Sequence, residues 1–180
     1  LLRHFDTLDL SGFGAQDLGP ALGAAGALFE YARATQAASI AHVRSLAVER
    51  DSAYVRMDAA TRRNLEISET LRGDSEPTLL SLLDTCATTM GSRWLRHALH
   101  HPLRDRSVVA ARLDAVAILR GESAGGPYRK LHQALRQVND VERITTRIAL
   151  RSARPRDMSA LRQTLVALPA LKSLLEPLFS

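Results

Sequence analysis

The chain is poor in cysteine and in aromatic residues, and each shortage limits the class of protein and the kind of core that it can form. A single cysteine, Cys86, excludes an internal disulfide and is typical of a reducing compartment, so we expect a cytoplasmic protein. Aromatic residues make up only 4% of the sequence, so leucine, alanine, valine and isoleucine must form the core. With 180 residues, 46% of them hydrophobic, the chain can build one domain and part of another.

Long hydrophobic runs and targeting segments are also missing. No apolar stretch approaches the roughly 18–20 residues that a membrane-spanning helix needs, so we expect no membrane partner. The first ten residues carry acidic groups where a signal peptide would be apolar, and the chain does not begin with methionine. We therefore expect a segment of a longer protein that is monomeric when isolated.

Complete catalytic and ligand-binding motifs are absent from the sequence. It contains neither the G-x-x-x-x-G-K-[ST] phosphate loop nor the G-x-G-x-x-G dinucleotide motif. No serine, histidine and aspartate have the sequence spacing of a known catalytic triad. His97, His100 and His101 form the only metal-like group, but no further ligand is placed to complete a zinc site. We predict no catalytic residue, no nucleotide-binding residue and no metal site, and hence no enzyme activity in this chain.

The pattern of hydrophobic, proline and glycine residues predicts a mainly helical fold with a little β structure. Alternation predicts a short strand over residues 8–14 and a β-hairpin near residues 42–57, with a polar turn at residues 49–52. Helical spacing and the prolines predict helices near residues 20–38, 58–66, 79–83, 89–101, 105–121, 128–136, 140–152, 156–168 and 169–178.

Several residues are predicted to shape these helices rather than to carry chemistry. The predicted N-caps, whose side-chain oxygens would accept backbone N–H groups, are Asp58, Thr89, Asp105 and Asp140. We expect Trp94, Leu95 and Leu99 to pack the helix that Pro102 ends. The residues expected to order the entry to the helical part are Arg62, Arg63 and Glu66.

Basic side chains concentrate in residues 128–162, where nine lysine and arginine residues minus three acidic residues leave a local net charge of +6. On a helix that begins at residue 140, four arginines fall within about 80° of one another at 100° per residue. They are Arg143, Arg147, Arg151 and Arg154. This stripe could contact DNA phosphates or an acidic partner, or it could be a solvated face partly paired with Glu142.

Short segments spread along the whole chain carry a family resemblance. Residues 57–66 (MDAATRRNLE), 78–84 (TLLSLLD) and 88–93 (TTMGSR), then Trp94-Leu95 and residues 101–103 (HPL), resemble the core domain of MutS-type DNA mismatch-repair proteins. Residues 112–116 (RLDAV), 140–144 (DVERI) and 153–157 (ARPRD) continue the resemblance. Upstream, residues 12–14 (GFG) and 31–36 (YARATQ) are similar to the end of the family's connector domain.

The resemblance implies a domain division. Residues 1–40 would form the end of the α/β connector domain with a linking helix. Residues 41–180 would form the first part of the multi-helical core, or lever, domain that leads towards the clamp helices. Neither the Phe-x-Glu motif with which the family reads mismatches nor a phosphate loop occurs in the sequence, so neither mismatch reading nor ATP hydrolysis can be assigned to named residues.

The resemblance also implies a role and partners. MutS proteins are homodimeric ATPases that find mismatched bases and become sliding clamps, so the chain would be their non-catalytic structural and allosteric segment. The implied partners are mismatched double-stranded DNA, a second MutS subunit and a MutL-type protein, in the bacterial cytoplasm. ATP and magnesium would belong to the full-length protein and not to this chain. A stand-alone nucleic-acid-binding or protein-interaction module that uses the arginine stripe remains the alternative.

Overall fold

A computed structural model of the protein describes residues 1–35, 40, 42–49, 51–121 and 125–176. The chain divides into two compact units. The first unit comprises Leu1–Arg50 and Arg143–Arg154, and the second comprises Asp51–Glu142 and Pro155–Ser180. The backbone therefore passes three times from one unit to the other, after residues 50, 142 and 154.

The first unit contains two helices that precede its return segment. Helix α1 spans Leu2–Phe5, a 3-10 turn spans Ser11–Phe13, and α2 spans Gly19–Thr35. A small aromatic cluster holds the N-terminal part together: the His4 ring centroid lies 4.6 Å from that of Phe29, and the Phe5 and Phe13 centroids lie 5.0 Å apart. The imidazole of His4 also makes a 2.6 Å hydrogen bond to the carbonyl oxygen of Val43.

The second unit contains most of the helices. They are α3 (Ala59–Asn64), α4 (Leu79–Leu83), α5 (Thr89–His100), α6 (Arg106–Arg120), α7 (Tyr128–Leu135) and α9 (Pro155–Leu175). Helix α8 (Val141–Ala149) has its first two residues in the second unit and the remainder in the first. Within the second unit, α7 packs against α9 and α4 packs against α5. The predicted mainly helical fold is confirmed.

Side-chain caps set where four of the described helices begin, namely α3, α4, α5 and α6. The carboxylate of Asp58 accepts a 2.6 Å hydrogen bond from the Thr61 N–H, and that of Asp105 accepts one of 2.8 Å from the Ser107 N–H. Helix α5 ends at His100, two residues before Pro102, as predicted. Its N-cap is Thr88 and not Thr89, because the extended backbone of Thr88 places its hydroxyl 3.0 Å from the Gly91 nitrogen.

The predicted β-hairpin near residues 42–57 is wrong. Residues 43–49 form no strand, and Asp51–Ala53 form a 3-10 turn, while Arg50 lies outside the described residues. The alternating segment pairs instead with the residues that follow α5. The Val55 N–H donates to the Pro102 carbonyl at 2.8 Å, and Tyr54 forms an isolated antiparallel bridge with Leu103. An extended segment needs hydrogen-bond partners for its backbone, and here residues 102–103, which are distant in the sequence, supply them.

Two further boundary predictions are also wrong. The strand predicted over residues 8–14 is replaced by the 3-10 turn, because Asp9 and Gln16 side chains accept the backbone N–H groups of Ser11 and Leu10. The two helices predicted at residues 156–168 and 169–178 form the single helix α9, with Pro169 inside it. Proline removes one backbone donor from a helix, yet α9 continues past Pro169 to Leu175.

Trp94 does not occupy the core that the sequence predicts for it. Its relative exposure is 56%, and the Arg112 guanidinium carbon lies 5.4 Å from the centre of its ring. Leu95 and Leu99, on the other side of α5, are partly buried. The indole covers a surface-facing arginine instead of filling a cavity, which is a favourable placement for an aromatic face beside a cation.

Few large side chains are buried in the described part of the chain. The buried hydrophobic residues are Leu10, Ala15, Ile40, Ile67, Leu131, Ile144 and Leu171. Among the described helices, none is long and apolar enough to cross a membrane.

Candidate functional site

A network of charged side chains joins α5 to the start of α8 within the second unit. The two guanidinium nitrogens of Arg93 donate to the two carboxylate oxygens of Asp140 at 2.6 and 2.8 Å. One of them also donates to Glu142 at 2.6 Å, and the Thr89 hydroxyl donates to Asp140 at 3.0 Å. These hydrogen bonds, first those to Asp140 and then those to Glu142, raise the pKa of Arg93. A bidentate pair of this kind restricts orientation as well as distance.

A second set of hydrogen bonds fixes the residue just before this network. The hydroxyl of Thr164 on α9 accepts the backbone N–H of Asn139 at 2.9 Å, and the Asn139 amide donates to the Ala160 carbonyl at 3.1 Å. Thr164 is only 2% exposed. Residues 139–142 are therefore held by α5 on one side and α9 on the other, immediately before the backbone leaves the second unit.

The predicted four-arginine stripe is not continuous on one helix. Helix α8 ends at Ala149, so Arg143 and Arg147 lie on it while Arg151 and Arg154 lie beyond its end. Ile144, on the same helix, is buried. Arg143, Arg151 and Arg154 are exposed and Arg147 is half-buried. The 100° spacing therefore applies to only two of the four arginines. Whether Asp140 caps α8, as predicted, remains untested.

Arg151 ends α8 in a conformation that glycine usually supplies. Its φ is 55°, and its N–H donates to the Ile148 carbonyl at 3.0 Å while the Ser152 N–H donates to the Arg147 carbonyl at 2.9 Å. This pair of bonds is the Schellman arrangement, in which the left-handed residue turns the chain out of the helix. The Arg151 side chain is thereby directed by the turn and not by the helical repeat.

Arg62, Arg63 and Glu66 lie at the end of α3, where the chain turns towards α4. Glu66 has a φ of 44°, its carboxylate accepts the Leu71 N–H at 2.7 Å, and its carbonyl oxygen accepts the Leu79 N–H at 3.1 Å. Glu66 therefore orders this turn directly. Arg62 and Arg63 are exposed and line a cavity beside it.

The three histidines near the end of α5 serve different contacts. The His97 and His101 rings are stacked with centroids 4.4 Å apart, and Tyr54 meets His101 edge-on at 5.5 Å. His100 makes a 2.8 Å hydrogen bond to the Ser68 hydroxyl. No group of three or more His, Cys, Asp or Glu side chains that could hold a metal ion occurs among the residues that the structure describes.

Family models identify the chain. A model described as MutS domain III matches residues 60–179, and one described as MutS domain II matches residues 1–44. The chain belongs to the MutS family. This agrees with the family resemblance of the short sequence segments and with the mainly helical fold of residues 59–175. Membership of the MutS family places the chain in DNA mismatch repair and implies a role in binding DNA during that process.

The residues matched to MutS domain III also contain a large apolar groove that the sequence did not reveal. It has a volume of about 1420 Å³ and lies between α6, α7, α9 and the start of α5. Its leucines include Leu119, Leu131, Leu135, Leu165, Leu168 and Leu171. The composition predicts that leucine forms part of the core, and α7 and α9 do pack together, but the packing leaves one side of these leucines open.

Proposed function

We propose that this chain is a non-catalytic structural and allosteric segment of a MutS-type mismatch-repair ATPase, and that it relays the nucleotide state of the protein to the part that clamps DNA. The observation that carries the proposal is the match to MutS domains II and III over most of the chain. Relay of this kind requires packed elements with discrete arrangements, and a helical lever can supply them.

The geometry at residues 139–142 supports the proposal. Arg93, Asp140 and Thr164 tie the start of α8 to α5 and α9, just before the chain enters the other unit. A rotation or shift of α5 would therefore be passed to the first turn of α8. Side chains that hold one element through several directional bonds favour a few arrangements over a continuous range.

The apolar groove supports the view that the chain works as part of a larger protein. The groove is lined mainly by apolar side chains and is open on one side, so another part of a larger protein could cover it. In the proposed protein, ATP and magnesium bind outside this chain, and a second MutS subunit and a MutL-type protein are partners. The proposed location is the bacterial cytoplasm. The chain itself would hydrolyse no ATP.

The test is made in the intact mismatch-repair protein that the proposal implies. Arg93→Gln removes the bidentate pair with Asp140 while leaving ATP- and mismatch-binding parts untouched. We expect normal mismatch affinity, and a rate of ATP-induced release from a G·T mismatch that changes by about two- to thirtyfold. Arg93→Lys, which keeps the charge but loses the planar fork, should fall between the variant and the wild type.

Arg162→Gln is the matched control, because Arg162 is an exposed arginine within α9 that belongs to no ion pair in the described region. Release kinetics of Arg93→Gln equal to those of this control, in a protein with an unchanged circular dichroism spectrum, would contradict the relay. The alternative, a nucleic-acid-binding module built on the arginine stripe, has less support because α8 ends before Arg151 and Arg154.

A further inference from the structure

A basic cavity lies beside α3 and is separate from the network at Arg93. It has a volume of about 510 Å³ and lies between the end of α3, the turn at residues 68–73 and the end of α5. The side chains that matter to its chemistry are Arg62, Arg63, Ser68, Glu69, Arg72 and His100. Three arginines thus line one small space together with a serine and a histidine.

The charges of this cavity are not balanced. Three arginines minus the single acid Glu69 leave a net charge of +2 on its lining when His100 is neutral. Within the described parts of the chain, none of the ion pairs shorter than 4.0 Å involves Arg62, Arg63 or Arg72. A Glu69 carboxylate oxygen lies over Gly73, 3.5 Å from the position a Cβ would take there. The lining therefore carries an excess of positive charge, which would attract a bound anion.

His100 reports the positive field at the same place. Burial is the first cause that lowers its pKa, followed by the charges of Arg96 and Arg62. The Ser68 hydroxyl that bonds to His100 also lies 3.4 Å from a guanidinium nitrogen of Arg96. Burial is the larger cause, but the part of the shift that comes from the two arginines indicates a positive field beside His100, which a bound anion would offset.

A second cavity of about 470 Å³ adjoins the first and shares two lining residues with it, Arg62 and His100. It adds Arg56 to the series of arginines. Its one acid, Asp58, already accepts the Thr61 N–H as the N-cap of α3. Arginines spaced along adjoining cavities suit a ligand with more than one phosphate group, because each guanidinium can hold two phosphate oxygens.

We propose that the cavity lined by Arg62, Arg63 and Arg72, here named the Arg62 cavity, is a binding site for phosphate groups. Arg62, Arg63 and Arg72 would donate to the phosphate oxygens, and the Ser68 hydroxyl would add a neutral contact. The ligand chemistry is that of a diphosphate or of neighbouring backbone phosphates of DNA. The proposal goes beyond the relay function and does not depend on it, because all of the residues involved belong to this chain.

Inorganic pyrophosphate is the probe for the shared chemistry. Calorimetric titration of the 180-residue chain at low salt should show binding, and the melting temperature should rise with pyrophosphate concentration. Binding should also raise the pKa of His100, which is measured by an NMR pH titration of its ring protons. We expect Arg62→Gln, and separately Arg63→Gln, to weaken pyrophosphate binding by about tenfold or more.

Two further variants distinguish a built site from general attraction to a basic chain. Arg162→Gln removes the same charge from an exposed position outside the cavity and should leave pyrophosphate affinity unchanged. Glu69→Gln removes the one acid of the cavity and should tighten binding by about two- to fivefold. Absence of pyrophosphate binding, or equal weakening by Arg62→Gln and Arg162→Gln, would overturn the proposal.

A labelled 12-base-pair duplex separates the two sources of phosphate. If pyrophosphate displaces the duplex and Arg62→Gln weakens both ligands, the cavity holds DNA backbone phosphates. If pyrophosphate binds but does not compete with the duplex, the cavity holds a free phosphate compound. Either result supports the site. Duplex binding that Arg62→Gln leaves unchanged, in a chain that binds no pyrophosphate, refutes it.

Discussion

Thr164 offers the most direct test of how the second unit holds the start of α8. Thr164→Val keeps the shape and β-branching of the side chain but removes the hydroxyl that accepts the Asn139 N–H at 2.9 Å. Thr164 is 2% exposed, so water cannot easily replace the lost partner. Leaving a buried donor unsatisfied costs about 1–3 kcal/mol, and we expect the free energy of unfolding to fall by that amount.

The assay is urea denaturation of the chain, followed by circular dichroism, with the Asn139 amide proton observed by NMR hydrogen exchange. Thr164→Val should lower the urea midpoint without changing the slope, and exchange at Asn139 should become faster. Thr164→Ser keeps the hydroxyl, so it should lose only the contribution of one methyl group, about 1 kcal/mol, and leave Asn139 exchange slow.

Ser159→Ala is the control, since it removes an exposed hydroxyl from the same helix and should change stability by less than about 0.5 kcal/mol. The reasoning is refuted if Thr164→Val is as stable as the wild type, or if Asn139 exchange is slower in Thr164→Val than in Thr164→Ser.

Three other predictions concern single positions. Trp94→Ala should cost only about 1–2 kcal/mol in urea denaturation, because a 56% exposed indole loses less than half of what a buried one does; a loss above 3 kcal/mol would restore Trp94 to the core. Arg151→Gly should raise stability by up to about 1 kcal/mol, since glycine adopts a φ of 55° without strain, and a lower urea midpoint would show that the Arg151 side chain matters more. Hydrogen bonds from Thr61 lower the pKa of Asp58 below its ordinary 3.8, so its contribution is complete above that pH and lost as the pH falls through the lowered pKa. The Asp58→Asn variant should therefore have the same free energy of unfolding as the wild type near neutral pH, and a smaller loss of stability below a pH of about 4. An unchanged loss of stability in acid would contradict the N-cap role of Asp58.

Features that depend on a few neighbouring residues were predictable from the sequence. The caps at Asp58 and Asp105 and the end of α5 before Pro102 each arise from one side chain and a backbone group within three residues. The family resemblance could also be recognised from the sequence, because it rests on many short segments in a fixed order and not on any one motif.

Features that depend on distant partners were not predictable. The alternation near residues 42–57 indicated extended backbone, but only the structure shows that Tyr54 pairs with Leu103 and not with a neighbouring strand. The four arginines do not lie on one helix as predicted, because α8 ends at Ala149 and Arg151 adopts a left-handed conformation that arginine seldom takes. Helical spacing likewise gave no sign that Trp94 would lie against Arg112 at the surface.

The Arg62 cavity was missed for a related reason. Arg62 and Arg63 stand next to each other in the sequence, but Arg72 and His100 reach the same space through a turn and through the end of α5. The only signal in the sequence was the Arg-Arg pair in residues 57–66, and that signal indicated an ordering role at the entry to the helical part.

In the proposed function, this MutS-family chain relays the nucleotide state of the protein to the part that clamps DNA, and it does not itself recognise mismatches. Titration of the chain against two labelled duplexes, one matched and one carrying a G·T mismatch, at two salt concentrations tests that claim most directly. We expect equal affinity for the two duplexes at each salt concentration, with binding that is weak and falls as salt rises. Tight binding that prefers the mismatched duplex at both salt concentrations would place recognition in these 180 residues and contradict the account.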